Sequence, residues 1–416
     1  MYSKSLGINL LFILVLSLVF LNLTTYLGSL NLVPFPSYII DIALFLFFSF
    51  LYFKRRLAFP WENKIFIWLA YYLIINIIYF IFSPNGIAEY KYFKLILFFS
   101  FFIMYMVMFF ALDDDKLSKT SYIMIFLGVI ASISLIVDYV SPGYFFTVFG
   151  APLPDSYETG RAASMYLNAN IAGGAMVLFL IFTIDSIPRK WRIFYISVLF
   201  LGLFATMSRS NIMIFFLVLS FMFFQKKLIG VQISILAIVI VIFFSWLATG
   251  GLETLGDTFE FKVTENMKSR VNFFADGKKS DTGDMAERKE VLKAALEMFM
   301  QRPVLGNGFA TTRTWHHRVG PHNTFAMQWA EMGIWGMLIV PLLFLFSTFD
   351  VFKYGSSNQK HIAILVIIFF TFSCFFSHNM FDQQLDIAAL VAVSVMGYKS
   401  RKKVLNAVNA RDQYAA

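Results

Sequence analysis

Residues 321–349 read PHNTFAMQWAEMGIWGMLIVPLLFLFSTF. From Asn323 onward this stretch holds a single charged residue, Glu331. A run so apolar exceeds the ~20 residues that an α-helix needs to cross a ~30 Å hydrocarbon core. Its polar end carries His322 followed by Asn323, and after nine intervening residues comes Gly333-x-x-Gly336. Asn323 is suited to cap the helix, because an Asn side chain accepts from a first-turn N–H. Glu331 is expected to face a protein interior, since a carboxylate against lipid is costly. Gly333 and Gly336 most simply allow close packing of neighbouring helices.

Outward from this stretch the pattern repeats. The chain has 416 residues, 59% of them hydrophobic and 14% charged, against the ~25% charge usual in soluble domains. Its mean hydropathy is +0.70. About twelve apolar stretches have spanning character: 8–28, 34–53, 65–82, 92–112, 120–140, 166–184, 193–207, 211–224, 229–248, 324–349, 361–379 and 383–398. The seventh and eighth are short and separated only by Ser208-Arg209-Ser210. The expected fold is therefore an all-α polytopic membrane protein, with residues 1–416 forming a single transmembrane domain. A β-barrel would show short alternating segments instead.

The basic residues set the expected orientation. Lys4, Lys54-Arg55-Arg56, Lys116, Lys119, Arg189-Lys190, Arg192, Lys226-Lys227, Lys353, Lys360 and the tail from Lys399 to Lys403 fall on one side. The opposite short loops hold only Lys91, Lys94, Arg161 and Arg209. Positive charge collects on cytoplasmic loops, so both termini are expected inside. The same rule accounts for the pI of 9.3 without a nucleic-acid partner. The lone cysteine, Cys374, permits no intrachain disulfide and gives no compartment argument. The first apolar run lacks a convincing small-residue cleavage site and reads as an uncleaved span.

One long outer loop, 249–322, has room for a folded element. Its first half, with Gly250-Gly251, Gly256, Gly277, Lys278-Lys279 and Gly283, reads as flexible. Its second half places Val291, Leu292, Ala295, Met298 and Phe299 at helical spacing. This predicts an amphipathic helix over 284–301, laid against the bundle or the membrane surface. Arg302-Pro303 ends it.

Five histidines occur in the chain, and His316, His317 and His322 share this loop. His322 suits a general base, because imidazole titrates near neutrality. The alternative is an interfacial residue beside a helix cap. His316 and His317 read as solvated loop residues. Their spacing to His322 matches no strong metal-ligand motif, and neighbouring arginines repel a cation, so no metal or other cofactor is expected. Arg161, Arg209, Arg288, Arg313 and Arg318 lie on the outer side. Each has a bland reading as a snorkelling residue, and Arg209 as part of a tight turn. Together they suit an anion, since guanidinium grips phosphate with paired hydrogen bonds. His378-Asn379, with Asp382 and Asp386 one helical turn apart, forms a second outer group. It orients a histidine, holds an arginine, or is simply a structural pair. No Walker loop or nucleophile elbow is present, so energy for a reaction would come from its substrate.

The His322-Asn323…Gly333-x-x-Gly336 pattern resembles the signature of the O-antigen ligase family, which shares a superfamily with O-antigen polymerases. Gly160-Arg161, Asn168-Ala169-Asn170, Ser208-Arg209-Ser210, Arg288 and Leu305-Gly306-Asn307-Gly308 follow in the same order. The resemblance implies a membrane glycosyltransferase, similar in architecture to other lipid-donor transferases of the C-type fold, in the bacterial inner membrane. It would move glycan from undecaprenyl diphosphate to lipid A-core at the periplasmic face, without metal. His322 would be the base, and Arg161 and Arg288 would hold the diphosphate with help from Arg209. Asn323, His378, Asp382 and Asp386 would support the site. A polymerase with a lipid-linked acceptor is the nearest alternative, and a transporter or lipid flippase a more distant one.

Overall fold

The computed structural model of the chain describes residues 15–30, 42–43, 46–47, 49–50, 60–82, 86–111, 114–153, 160–228, 230, 250–259, 263, 267–268, 283–317, 320–377 and 380–415. All regular structure among them is helical. The main helices are α1 (Leu23–Ser29), α2 (Ile65–Phe82), α3 (Gly86–Ala111), α4 (Asp114–Val140), α5 (Ala169–Thr183), α6 (Arg189–Ala205), α7 (Arg209–Phe224), α8 (Leu252–Phe259), α9 (Gly283–Gln301), α10 (Thr324–Tyr354), α11 (Ser357–Phe376) and α12 (Gln384–Ala415). Among the described residues, five helical segments are long and apolar enough to cross a membrane: 65–82, 120–140, 169–186, 324–354 and 357–376. Leu95–Phe110 and Arg209–Phe224 are apolar but shorter. The protein is a multi-pass helical membrane protein. The expected spans at 34–53 and 229–248 lie mostly or wholly outside the described residues, as does most of the Gly-rich half of the long loop.

The chain divides into two compact units, one of residues 1–41 with 114–281 and one of 42–113 with 282–416. In the first, α5 is the central helix. Ala169, Ala172, Gly173, Gly174 and Ala175 open it, and nearly all its side chains are buried. A helix apolar all round belongs inside a bundle. α4 and α6 cross where Gly202 lies against Ser132, whose Cα would sit 2.7 Å from any added Cβ. A side chain there would push the helices apart.

In the second unit α10 is the hub, packed by α2, α9, α11 and α12. An aromatic core joins α2, α3 and the start of α12: Trp68 stacks on Tyr72 with centroids 5.0 Å apart, and Phe381 lies 5.1 Å from Tyr72. α9 is the expected amphipathic helix. Its buried Val291 and Ala295 face α10, Ala295 packing with Ala326 and Ala330 and with the half-buried Leu292 and Met298 beside them. The buried part of the apolar face is thus covered by α10.

The two glycines of α10 serve a different purpose from helix–helix packing. Gly333 adopts φ 58°, ψ −141°, so the helix is broken there. A break in an apolar helix strands backbone groups that cannot remain bare in a low-dielectric interior. The segment 303–308 supplies them. Asn307 N donates to Ala330 O at 3.0 Å, Gly308 N to Glu331 O at 3.0 Å, and Ile334 N to Pro303 O at 2.8 Å. The Tyr79 hydroxyl reaches Met332 O at 3.1 Å and Leu305 O at 2.7 Å. The loop after α9 is therefore spliced into the middle of α10. Gly306, with φ 67°, is required at the same crossing, because its Cβ would run into Glu331 O.

Candidate functional site

The start of α10 is built by its cap. Asn323 is extended at φ −153°, ψ 112°, and its Oδ1 accepts from Ala326 N at 2.9 Å. Thr324 Oγ1 donates to Ser377 O at 2.6 Å and so ties this end to that of α11. His322 precedes the cap directly and is half-buried. Asn323 thus has a structural role that fixes the backbone beside the candidate base.

The turn 309–314 lies over the break. Phe309, Ala310 and Thr312 are buried, and the Thr312 hydroxyl donates to the Glu331 carboxylate. Glu331, 1% exposed, does face the protein interior as its position required. Arg313, exposed on the same turn, lines a cleft with Tyr72, Asn76, Gln328, Glu331 and Asp382. Gln328 and Asn76 are buried. Beyond the turn, His316 and His317 stack on one another at 4.0 Å, and His317 lies edge-on to Trp315. His317 is half-buried rather than a solvated loop residue, whereas His316 is exposed.

Arg288 is exposed on the first half of α9. The helix reaches the same splice at its far end, where Asn307 Nδ2 donates to Met298 O at 2.7 Å and to Ala330 O at 2.9 Å. Asp382 is half-buried in the cleft, and Asp386 is half-buried in the first turn of α12. His378, Asn379 and Arg318 lie outside the described residues.

In the first unit a second polar group surrounds Arg161. Asp138, buried at the end of α4, accepts from the N–H groups of Gly143, Ala163 and Ser164 at 3.2, 3.1 and 2.7 Å. It shapes the irregular segment that follows Gly160. Arg161 Nε donates to Thr206 O at 3.1 Å and Nη2 to Asn170 Oδ1 at 2.6 Å. Ser208 Oγ donates to the same Asn170 oxygen at 3.0 Å. α6 ends at Ala205 and α7 begins at Arg209, so the tight turn expected there exists, with Met207 at φ 49°. Arg209 is half-buried in the first turn of α7.

Arg161, Arg209, Arg288, Arg313, His322, Glu331 and Asp382 are residues that the sequence singles out. Asn170 and Ser208 enter there only within the Asn168-Ala169-Asn170 and Ser208-Arg209-Ser210 stretches, and Thr312 and Tyr79 do not stand out. Residues 194–340 match a family model described as O-antigen ligase. The match runs from α6 to α10 and includes Arg209, Arg288, His322, Gly333 and Gly336. Comparison with curated proteins gives no match.

Proposed function

From the match of residues 194–340 to an O-antigen ligase family model, we propose that this membrane protein is an enzyme of surface-polysaccharide synthesis that transfers glycan from undecaprenyl diphosphate to lipid A-core at the periplasmic face of the inner membrane. The observation that carries this reading is the splice at Gly333. It makes one piece of α9 with Arg288, the turn with Arg313, and the start of α10 with His322. A reactive group gains from being held this way, because misplacement by about 1 Å can cost on the order of a hundredfold in rate.

In the proposed step His322 takes the proton of an acceptor hydroxyl. That oxygen attacks the anomeric carbon in line. The glycosyl–phosphate C–O bond breaks, and the electron pair leaves with the diphosphate. The anomeric centre inverts. Arginine side chains meet the negative charge that grows on the leaving group; Arg288 is the one assigned to this on the same unit as His322, and Arg161 and Arg209 are candidate diphosphate ligands by their resemblance to the family pattern. Asp382 lines the cleft beside Arg313, and Asp386 lies one turn further along; both support the site without touching the reacting atoms.

Transport finds less support. Discontinuous helices in transporters present bare backbone groups to a substrate or ion, whereas the groups named at the Gly333 break are taken up by 303–308 and Tyr79. The decisive experiment is a gel of surface glycan from a deletion strain, rescued with wild type or His322→Ala. The proposal expects bare core in the deletion strain and with the variant, with polymer stranded on its lipid carrier. Core bearing one repeat unit would instead identify a polymerase. Full rescue by His322→Ala would remove the base assignment.

A further inference from the structure

The segment that leads from α9 into the turn at 309–314 combines two properties that belong to different solvents. Its side chains are apolar and uncovered: Val304 is 60% exposed and Leu305 68%, beside Met300 at 74%. Its carbonyls are nevertheless taken up within the protein. Arg302 O accepts from Gly306 N at 2.8 Å, Pro303 O from Ile334 N at 2.8 Å, and Leu305 O from the Tyr79 hydroxyl at 2.7 Å. Pro303 has no N–H to satisfy. A loop in water can leave such groups to solvent, whereas non-helical backbone at membrane depth must find partners in the protein.

The path of the chain fits a dip into the membrane. α9 and α10 run side by side in the same direction: Ala295 packs on Ala326 and Ala330, Asn307 bridges Met298 O and Ala330 O, and Pro303 meets Ile334. The chain then reverses, with Gly308 and Thr312 at Glu331, and returns to the start of α10 at Thr324. It therefore enters and leaves at one end of that span. Lys353, in the last turn of α10, and Lys64, 3.2 Å over the Phe349 ring, mark the other end. Counted back from Lys353 at ~1.5 Å per residue, a ~30 Å hydrocarbon core ends near Gly333. Counted from Lys64 at the same rise, Tyr79 stands about 23 Å along α2, and the exposed, apolar Ile81 and Phe82 lie beyond it. Both counts put 303–305 at the hydrocarbon edge on the His322 side. Ile334, Trp335 and Leu338 are exposed on the α10 span just beyond the splice, so the apolar patch continues a lipid-facing surface. Gln301 and Arg302 are exposed in the same turn. An arginine stem carries its charged head to the headgroups from the hydrocarbon edge, which fits a shallow tip.

We infer that residues 300–305 form a re-entrant tip whose partner is the bilayer: Met300, Val304 and Leu305 insert among the acyl chains of the leaflet on the His322 side. The tip fixes the height of α9 and of the turn carrying Arg313 over the membrane surface. The inference stands on the fold and is independent of the substrate's identity.

The test uses the full chain in vesicles of phosphatidylethanolamine and phosphatidylglycerol, with a fluorophore on single introduced cysteines. The native Cys374 is buried, and wild type is the unlabelled control. Val304→Cys and Leu305→Cys should be quenched by lipids brominated on their acyl chains as strongly as Ile81→Cys on α2, and spared by aqueous iodide. Glu290→Cys, exposed on the first half of α9, should show the opposite. Iodide quenching at 304 and 305 equal to that at 290 puts the tip in water and overturns the inference. Protection from both quenchers means that protein covers the patch, whether a second copy of the chain or another of its segments, and overturns it as well. A companion measurement needs no substitution: in wild type, a phospholipid with a photoreactive diazirine on its acyl chain should mark 300–305 together with Ile81 and Phe82. Label on that α2 pair with none on 300–305 refutes the inference even where a cysteine variant fails to fold.

Discussion

Gly333→Ala puts a methyl group into the splice between α10 and the segment 303–308. Two costs can be worked out from the geometry. The first is conformational: at φ 58°, ψ −141° an L-residue with a Cβ lies in a region open essentially to glycine, at a cost of about 1–3 kcal/mol. The second is steric. The new Cβ would stand 2.6 Å from both Pro303 O and Val304 O and 2.8 Å from Gly306 N. All three are backbone atoms of a segment pinned by its own hydrogen bonds, so the clash is relieved only by pulling 303–308 away. That movement breaks the bond from Ile334 N to Pro303 O and leaves a donor unpaired in an apolar interior, at about 1–3 kcal/mol. Together the loss is about 2–6 kcal/mol, equivalent to roughly 10 °C in melting temperature for a unit of this size. The assay is a thermal melt of the purified protein in detergent, paired with glycan transfer in cells. Gly320→Ala is the control, because its Cβ meets only Thr312 O at 3.9 Å. It should stay within about 0.5 kcal/mol of wild type. If Gly333→Ala melts together with Gly320→Ala, the spliced break is not a feature of the folded protein, and the reasoning from it to the site fails.

Three further outcomes follow from the same geometry. Asn323→Ala removes the cap on Ala326 N and should cost about 1 kcal/mol in a melt; Asn323→Asp keeps the acceptor and should restore both stability and transfer. Thr312→Val takes the hydroxyl from the buried Glu331 carboxylate and is expected to destabilise by about 1–3 kcal/mol, while Thr312→Ser is close to neutral; equal melts for the two would show that this bond contributes nothing. Arg288→Lys, exposed on α9, should leave the melt unchanged and cut transfer by about tenfold, since a point charge cannot reproduce a two-pronged phosphate contact. Wild-type transfer by that variant would release Arg288 from the diphosphate.

How far the sequence reached depended on whether the cause of each feature lay nearby in the chain. α9 was legible in extent and face: 284–301 was expected and Gly283–Gln301 is found, with Val291 and Ala295 buried. Its 3.6-residue period and the Arg302-Pro303 stop are both local signals. The cap at Asn323 is local as well. Gly333 is different. Within an apolar helix a glycine serves either an approaching helix or a break, and nothing in its neighbours distinguishes the two. The break is chosen by 303–308, a segment some 25 to 30 residues earlier that brings N–H groups to the carbonyls of Ala330 and Glu331 and a C=O to the N–H of Ile334, while the Tyr79 hydroxyl reaches Met332 O. Gly306 and Gly333 are a matched pair, and each can be explained only through the other. The candidate site has the same property. Histidine and arginine stand out in a chain that is 14% charged, but their composition says nothing of aim. The groups that hold the chain around them are uncharged and have a weak sequence signal: an amide at Asn170, a hydroxyl at Thr312, a phenol at Tyr79. In an apolar bundle such groups have few alternatives, because a polar side chain without a partner costs more there than at a wetted surface. Each is therefore committed to one geometry. A charge-based reading of the sequence picks out the candidate groups, and the amides and hydroxyls around them set where the neighbouring backbone is held.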